Sequence, residues 1–157
     1  MSNTIKRIGA LLVVAAVPAF AALPACSNKI AECNQFIDEA NKGQTAFSKL
    51  DKDKEDALKS TITEVEASNK KLEDMKFTDA KLNELKTNYI AKHKAVLDIM
   101  SKTDESAKAV KDATDKGDAA AAQAKVDELN KLKDQIDGAI KDASKSIDDL
   151  NAYCSGK

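Results

Sequence analysis

From Cys26 to Lys157 the chain runs for 132 residues without a proline. Proline damages a helix interior because it removes a backbone N–H and clashes with the preceding turn. A stretch this long without one, dominated by Ala, Lys, Glu, Asp and Leu, can be helical throughout. Its apolar residues recur at helical spacing and do not alternate, so the sequence predicts an all-α domain. The same 132 residues hold no Arg and no Trp, 23 Lys against 26 Asp and Glu, and five aromatics: Phe36, Phe47, Phe77, Tyr89 and Tyr153. That charge balance does not suit a protein that neutralises nucleic-acid phosphates. The missing arginines remove the bidentate fork that phosphate and carboxylate pockets use. One histidine and three cysteines in the whole chain are too few for any common zinc or haem site, so neither metal nor cofactor is expected.

Both prolines and the only arginine lie in the first 25 residues. Lys6 and Arg7 make a positive start, Ile8 to Val17 is an apolar run of ten, and small residues with Pro18 and Pro24 follow. Ten apolar residues are too few for a permanent span and match the core of a cleaved export signal. Two cleavage sites compete. Ala19-Phe20-Ala21 would release a soluble periplasmic chain starting at Ala22. Leu23-Pro24-Ala25-Cys26 resembles the lipobox of bacterial lipoproteins, although Pro24 departs from the usual small residue at its position. Cysteine parity favours the second site, since lipidation of Cys26 leaves an even pair, Cys33 and Cys154, in an oxidising compartment. The organisation expected is a signal peptide over 1–25 and a single helical domain over 26–157. The resemblance implies a thioether-linked diacylglycerol and an amide-linked acyl chain such as palmitate on Cys26. Ser27, where an Asp would retain the protein at the inner membrane, implies the outer membrane. At about 0.8 kcal/mol per buried methylene, several acyl chains anchor a protein durably.

Three heptad seams are legible. The first takes Ile30, Cys33, Ile37, Ala40, Gln44 and Phe47 and resumes with Leu58, Val65, Leu72 and Met75. The second takes Leu82, Leu85, Tyr89, Val96, Ile99 and Val110. The third takes Val126, Leu129, Ile136, Ile140, Ala143, Ile147, Leu150 and Cys154. Such 3-4 spacing buries a narrow stripe, as in antiparallel bundles and coiled coils. Leu97, Met100, Leu132 and Tyr153 flank these seams and are read as shoulders of the same core.

Thr78 or Asp79 can cap a helix of about 38 residues, and Gly117-Asp118 pairs a left-handed helix end with the next N-cap. The last helix then covers about 119 to 153. A further break near 51–55 is less clear, because Asp51 and Lys54 fall on the seam yet neither Gly nor Pro is present. Without that break the bundle has three helices, and Cys33 and Cys154 sit roughly 50 Å apart at 1.5 Å per residue. A disulfide needs its Cα atoms within about 7 Å. With the break there are four helices, both termini return to one end, and Cys33–Cys154 can close a loop of about 120 residues. The antiparallel four-helix bundle with that bond is preferred. The three-helix form, with free or intermolecular thiols, is the alternative.

No constellation for catalysis stands out. His93 lies between Lys92 and Lys94 on the flank of its seam and reads as a solvated surface histidine without a general-base partner. Asp51 to Asp56 hints at a calcium loop but lacks its Gly, and Ile62 stands where the bidentate Glu belongs. Cys33 and Cys154 lack the Cys-x-x-Cys spacing of a redox pair. The interleaved charges around Lys70-Lys71, Glu73-Asp74 and Lys125 to Asp134 read as a solvated helix face. The chain is therefore not expected to be an enzyme.

The segment Ala124-Lys125-Val126-Asp127-Glu128-Leu129-Asn130, with the ending Tyr153-Cys154-Ser155-Gly156-Lys157, is similar to murein lipoprotein. That family is a lipidated heptad helix joined to peptidoglycan through a C-terminal lysine, which would give Lys157 a wall-tethering role. The expectation is a non-enzymatic envelope lipoprotein acting as a binding or scaffold module. A structural peptidoglycan tether and a soluble periplasmic binding protein or chaperone are its rivals. Its partners would be the membrane, through the lipid, and an envelope protein or further copies of itself, with no nucleic acid.

Overall fold

The computed structural model describes residues 24–48 and 57–156, with side chains from Asn28 onward, and these residues are mostly helical with no strand among them. Four helices follow in order: α1 (Pro24–Ser48), α2 (Ala57–Asp74), α3 (Ala80–Asp115) and α4 (Ala119–Cys154). The expected break at 51–55, the calcium-loop hint over Asp51–Asp56, the signal-peptide run through Val17 and Lys157 lie outside the described residues. The preferred four-helix form is nonetheless the one adopted. Ser68 of α2 donates from its hydroxyl to the Glu39 carbonyl of α1 at 2.8 Å, and Lys71 lies 3.9 Å from the Glu39 carboxylate. Farther along, Phe47 of α1 joins the cluster that includes Val65 and Leu58 of α2. Rising residue numbers on one helix meet falling numbers on the other, so α1 and α2 are an antiparallel pair and not one rod.

The helix ends follow from side chains that satisfy otherwise unpaired backbone groups. Of the two N-cap candidates before α3, Asp79 takes the role, accepting from the Leu82 N–H at 2.9 Å. Asp118 does the same for α4 through the Ala121 N–H at 2.9 Å. Between them Gly117 has φ 72°. The Gly117 N–H donates to the Thr114 carbonyl at 3.0 Å and the Asp118 N–H to Ala113 at 2.9 Å. These two crossed bonds form a Schellman ending, which needs a left-handed residue after the helix cap.

The core has two parts. Near the base, Cys33, Phe36, Ile37, Leu72, Leu82, Tyr89 and Leu150 pack together. Phe36 lies between Phe77 (ring centroids 5.9 Å) and Tyr89 (5.6 Å, edge to face). Higher up, Phe47, Val65, Val96, Leu97, Met100, Ile136 and Ala143 form the second part. Leu97, Met100 and Leu132, expected as shoulders, are fully core, while Tyr153 is half-buried.

The four helices differ in length. α3 and α4 have 36 residues each, against 25 and 18 for α1 and α2. At 1.5 Å per residue the long pair extends about 54 Å. Above the level of Met100, among the described residues, it continues as a two-helix hairpin. Val110, Val126 and Leu129 there are half-buried, while Ser106, Ala113 and Leu132 are buried.

Two glycines on α4 and the turn before it give opposite expectations for one substitution. Gly117→Ala places a Cβ on a left-handed residue and should cost about 1 kcal/mol. Gly138 is inside α4, and a Cβ added there would meet no atom within 4 Å. Gly138→Ala should therefore stabilise by about 1 kcal/mol through helix propensity. Urea unfolding of the two variants checks both signs.

Candidate functional site

Cys26 is the third residue of α1, and its side chain lies outside the described ones. Seven residues farther on, Cys33 is bonded to Cys154 at the end of α4, with S–S 2.15 Å and Cα atoms 5.8 Å apart. The start of the domain is thus covalently joined to its far end, 121 residues away.

A polar lattice surrounds that bond. The Glu32 carboxylate of α1 accepts from both the backbone N–H and the hydroxyl of Thr78, each at 2.7 Å, and from the Asp79 N–H at 3.2 Å. Those Thr78 bonds favour the ionised acid and hold Glu32 below the usual carboxylate range. Asp79, while capping α3, also accepts from the Tyr153 hydroxyl of α4 at 2.5 Å. This hydrogen bond holds the Asp79 pKa down and pushes Tyr153 up to about 12. Lys29 of α1 lies 3.7 Å above the Tyr153 ring, a cation–π contact. Lys86, mostly buried, donates to the Met75 carbonyl, and burial lowers its pKa. Asn83 donates to the Phe77 carbonyl at 2.7 Å. One end of the molecule therefore ties α1, the α2–α3 connection, the start of α3 and the end of α4 together.

Halfway up the bundle, between the two apolar clusters, lies a buried polar layer. It corrects one expectation. His93, read from its lysine neighbours as a solvated surface residue, is only 1 % exposed. The lysines on either side explain why. Lys92 reaches out to Asp142 of α4 at 2.9 Å, and Lys94 reaches the other way to Glu73 of α2 at 2.6 Å. The residue between two such flanks points to the interior. A helix held by neighbours on both sides buries a stripe wider than a two-in-seven seam.

The ring of His93 stacks on Tyr89 with centroids 3.8 Å apart. Its Nδ1 lies 2.9 Å from the Tyr89 carbonyl, which can only accept. That nitrogen therefore carries the proton, and Nε2 accepts from the Gln44 amide at 3.2 Å. Burial pushes the His93 pKa down to about 4. Tyr89 donates to the Ala40 carbonyl at 3.3 Å and its pKa is raised by burial. The Glu39 carboxylate is also buried, held by Lys42 at 2.7 Å. Glu39 Oε1, Gln44 Oε1 and Asn69 Nδ2 have no hydrogen-bond partner among the described residues. At Gly43, an added Cβ would sit 3.4 Å from the Ser68 hydroxyl and 3.7 Å from that of Tyr89. Those are ordinary contact distances, so a methyl at this position would fit against the polar layer.

Both nitrogens of His93 are engaged with neutral groups, and no hydroxyl or thiol nucleophile among the described residues is its partner. An open groove of about 530 Å³ runs between α2 and α3, with Ile62, Asn69 and Leu97 in its lining and the Glu73–Lys94 pair beside them. Among the described residues, no three His, Cys, Asp or Glu side chains converge as metal ligands, and no helix is long and apolar enough to cross a membrane. Sequence reasoning found Cys33, Cys154 and Asp79. It missed Glu32, Tyr153 as a hydrogen-bond donor, and the polar layer, because the Glu32–Thr78, Tyr153–Asp79 and Gln44–His93 contacts join residues at least 46 positions apart.

The family model described as "Uncharacterised lipoprotein PM1805" matches residues 24–154. That range takes in Cys26, both bonded cysteines and all four helices, and the chain belongs to this lipoprotein family. No curated protein and no solved structure matches it. The likeness to murein lipoprotein thus rests on heptad composition and the C-terminal residues alone.

Two outcomes follow from the site. The folded state resists protonating His93, so its contribution is whole above about pH 6.5 and is lost as the pH falls towards 4. The loss should amount to about 3 kcal/mol. His93→Gln should flatten the stability profile between pH 6.5 and 4.5, measured by urea unfolding across pH. Separately, Cys33→Ser with Cys154→Ser should remove about 4 kcal/mol of stability by opening the long loop, read as a lower urea midpoint.

Proposed function

We propose that this protein is a non-enzymatic lipoprotein of the outer membrane, anchored through acyl chains on Cys26, with the helical bundle serving as a binding or scaffold module. Membership of a lipoprotein family whose match begins at Pro24 supports the anchor. The lipobox-like Leu23-Pro24-Ala25-Cys26 supports the residue, and Ser27 supports the outer membrane. The observation that carries the scaffold reading is the closed base. Cys26 lies two helical turns from a disulfide that joins the first and last helices. An anchor at Cys26 therefore holds the whole bundle through both ends of its chain. The α3–α4 turn at Gly117 is then the membrane-distal end, about 50 Å from the base.

The deciding measurement is the intact mass of the protein taken from its own membranes, with and without reduction and thiol alkylation. A chain beginning at Cys26, carrying acyl chains and taking up alkylating reagent only after reduction, is the expected result. An unlipidated chain beginning at Ala22 would overturn the anchor and leave a soluble periplasmic helical protein.

A further inference from the structure

Each bonded cysteine has a chain neighbour that reaches the same two residues. Glu32, next to Cys33, accepts from the N–H and hydroxyl of Thr78 and from the Asp79 N–H. Tyr153, next to Cys154, donates to the Asp79 carboxylate at 2.5 Å. Lys29, one helical turn before Cys33, lies 3.7 Å above the Tyr153 ring. Asp79 is itself fixed, because its other carboxylate oxygen caps α3 through the Leu82 N–H. The Thr78–Asp79 corner thus holds α1 against α4 through contacts that involve neither sulfur.

The two cysteines differ in access. Cys33 lies inside α1, is 3 % exposed and packs in the basal cluster with Phe36, Leu72 and Leu150. Cys154 is the last residue of α4 and half-buried against that cluster, and the exposed Ser155 and Gly156 follow it. Disulfide exchange proceeds by attack of a thiolate on a disulfide sulfur, at a rate that depends on access. Burial among apolar groups also raises a thiol's pKa and leaves less of the reactive thiolate. Both effects handicap Cys33 more than Cys154.

We infer that Cys154 is the site at which this chain exchanges with an external organic disulfide, and that the Thr78–Asp79 corner is the template that then delivers it to Cys33. Cys154 loses its proton and attacks one sulfur of the oxidant R–S–S–R. A mixed disulfide Cys154–S–S–R forms and the first R–SH departs. Cys33 loses its proton and attacks the Cys154 sulfur in turn, the Cys33–Cys154 bond closes, and the second R–SH departs. Two electrons pass from the chain to the oxidant, and the two thiol protons end on the two R–SH molecules. The second step is intramolecular, so its rate follows how well the two sulfurs are held together. Glu32 and Tyr153 are positioning residues for that step. None of this depends on an anchor at Cys26.

The test uses the mature chain with Cys26→Ser, so that two thiols remain, reduced and then mixed with glutathione disulfide. Adding Cys33→Ser or Cys154→Ser isolates the first step, read by intact mass after acid quenching. The mixed disulfide is expected to form at least tenfold faster at Cys154 than at Cys33. In the two-thiol chain, Tyr153→Phe removes one hydroxyl, and Glu32→Ala removes the carboxylate while keeping a good helix former. Each is expected to slow closure about tenfold and to leave the first step at Cys154 unchanged, a split that a contribution to stability alone would not produce. Should Glu32→Ala lower helix content by circular dichroism, Tyr153→Phe decides alone. Equal rates at the two cysteines overturn Cys154 as the exchange site. Closure that neither substitution slows, slowing of both steps alike, or loss of helix on reduction of the parent chain overturns the template.

Discussion

Everything in this molecule depends on how the two ends of the chain meet. A four-helix bundle of this composition has few large side chains to hold it, with five aromatics in the 132 residues from Cys26 onward. Ala, Lys and Asp give good helices and poor cores, because helix propensity contributes little once compared with apolar burial. The Cys33–Cys154 bond supplies what the core lacks by restricting the unfolded chain. Around it, Asp79 performs two tasks with one carboxylate, capping α3 and accepting from Tyr153 at the end of α4. Glu32 brings α1 to the same corner. The aromatic residues that do exist are concentrated nearby, with Phe36, Phe77 and Tyr89 in contact at the base.

Stability is consequently graded along the bundle. The base has a covalent bond, aromatic packing and side-chain caps that are shared between helices. The middle exchanges apolar contacts for a polar layer in which His93, Gln44 and Tyr89 fix one another's orientation. Buried hydrogen-bonded groups give little net stability, yet a misregistered partner would leave them unsatisfied at a cost of about 1–3 kcal/mol each. A bundle of near-uniform heptads has many alternative registers, and a polar layer of this kind penalises all but one. At the top, among the described residues, α3 and α4 continue as a hairpin in which Ser106, Ala113 and Leu132 are buried.

Much of the architecture was legible from sequence because it is local. Proline-free composition announced helices. Asp79 and Asp118 as N-caps, and Gly117 as a left-handed residue, are decided within four or five residues of backbone, which a sequence displays directly. The disulfide was legible by a different route, through parity and the geometry that each helix count would allow. The burial of His93 was not legible. Two adjacent lysines make any residue look solvated in a linear reading, and only the opposite directions taken by Lys92 and Lys94, towards α4 and α2, turn the residue between them inward.

The sequence by itself determined that this chain is helical and divided at Asp79 and Gly117-Asp118, because those properties arise from short-range rules of composition, capping and periodicity. Only the tertiary structure decided that α1 and α2 are an antiparallel pair, that Glu32 and Tyr153 converge on one corner, and that His93 is buried. These depend on which face of each helix meets which neighbour. A heptad stripe says that a face will be buried, but similar stripes on four helices do not say against what.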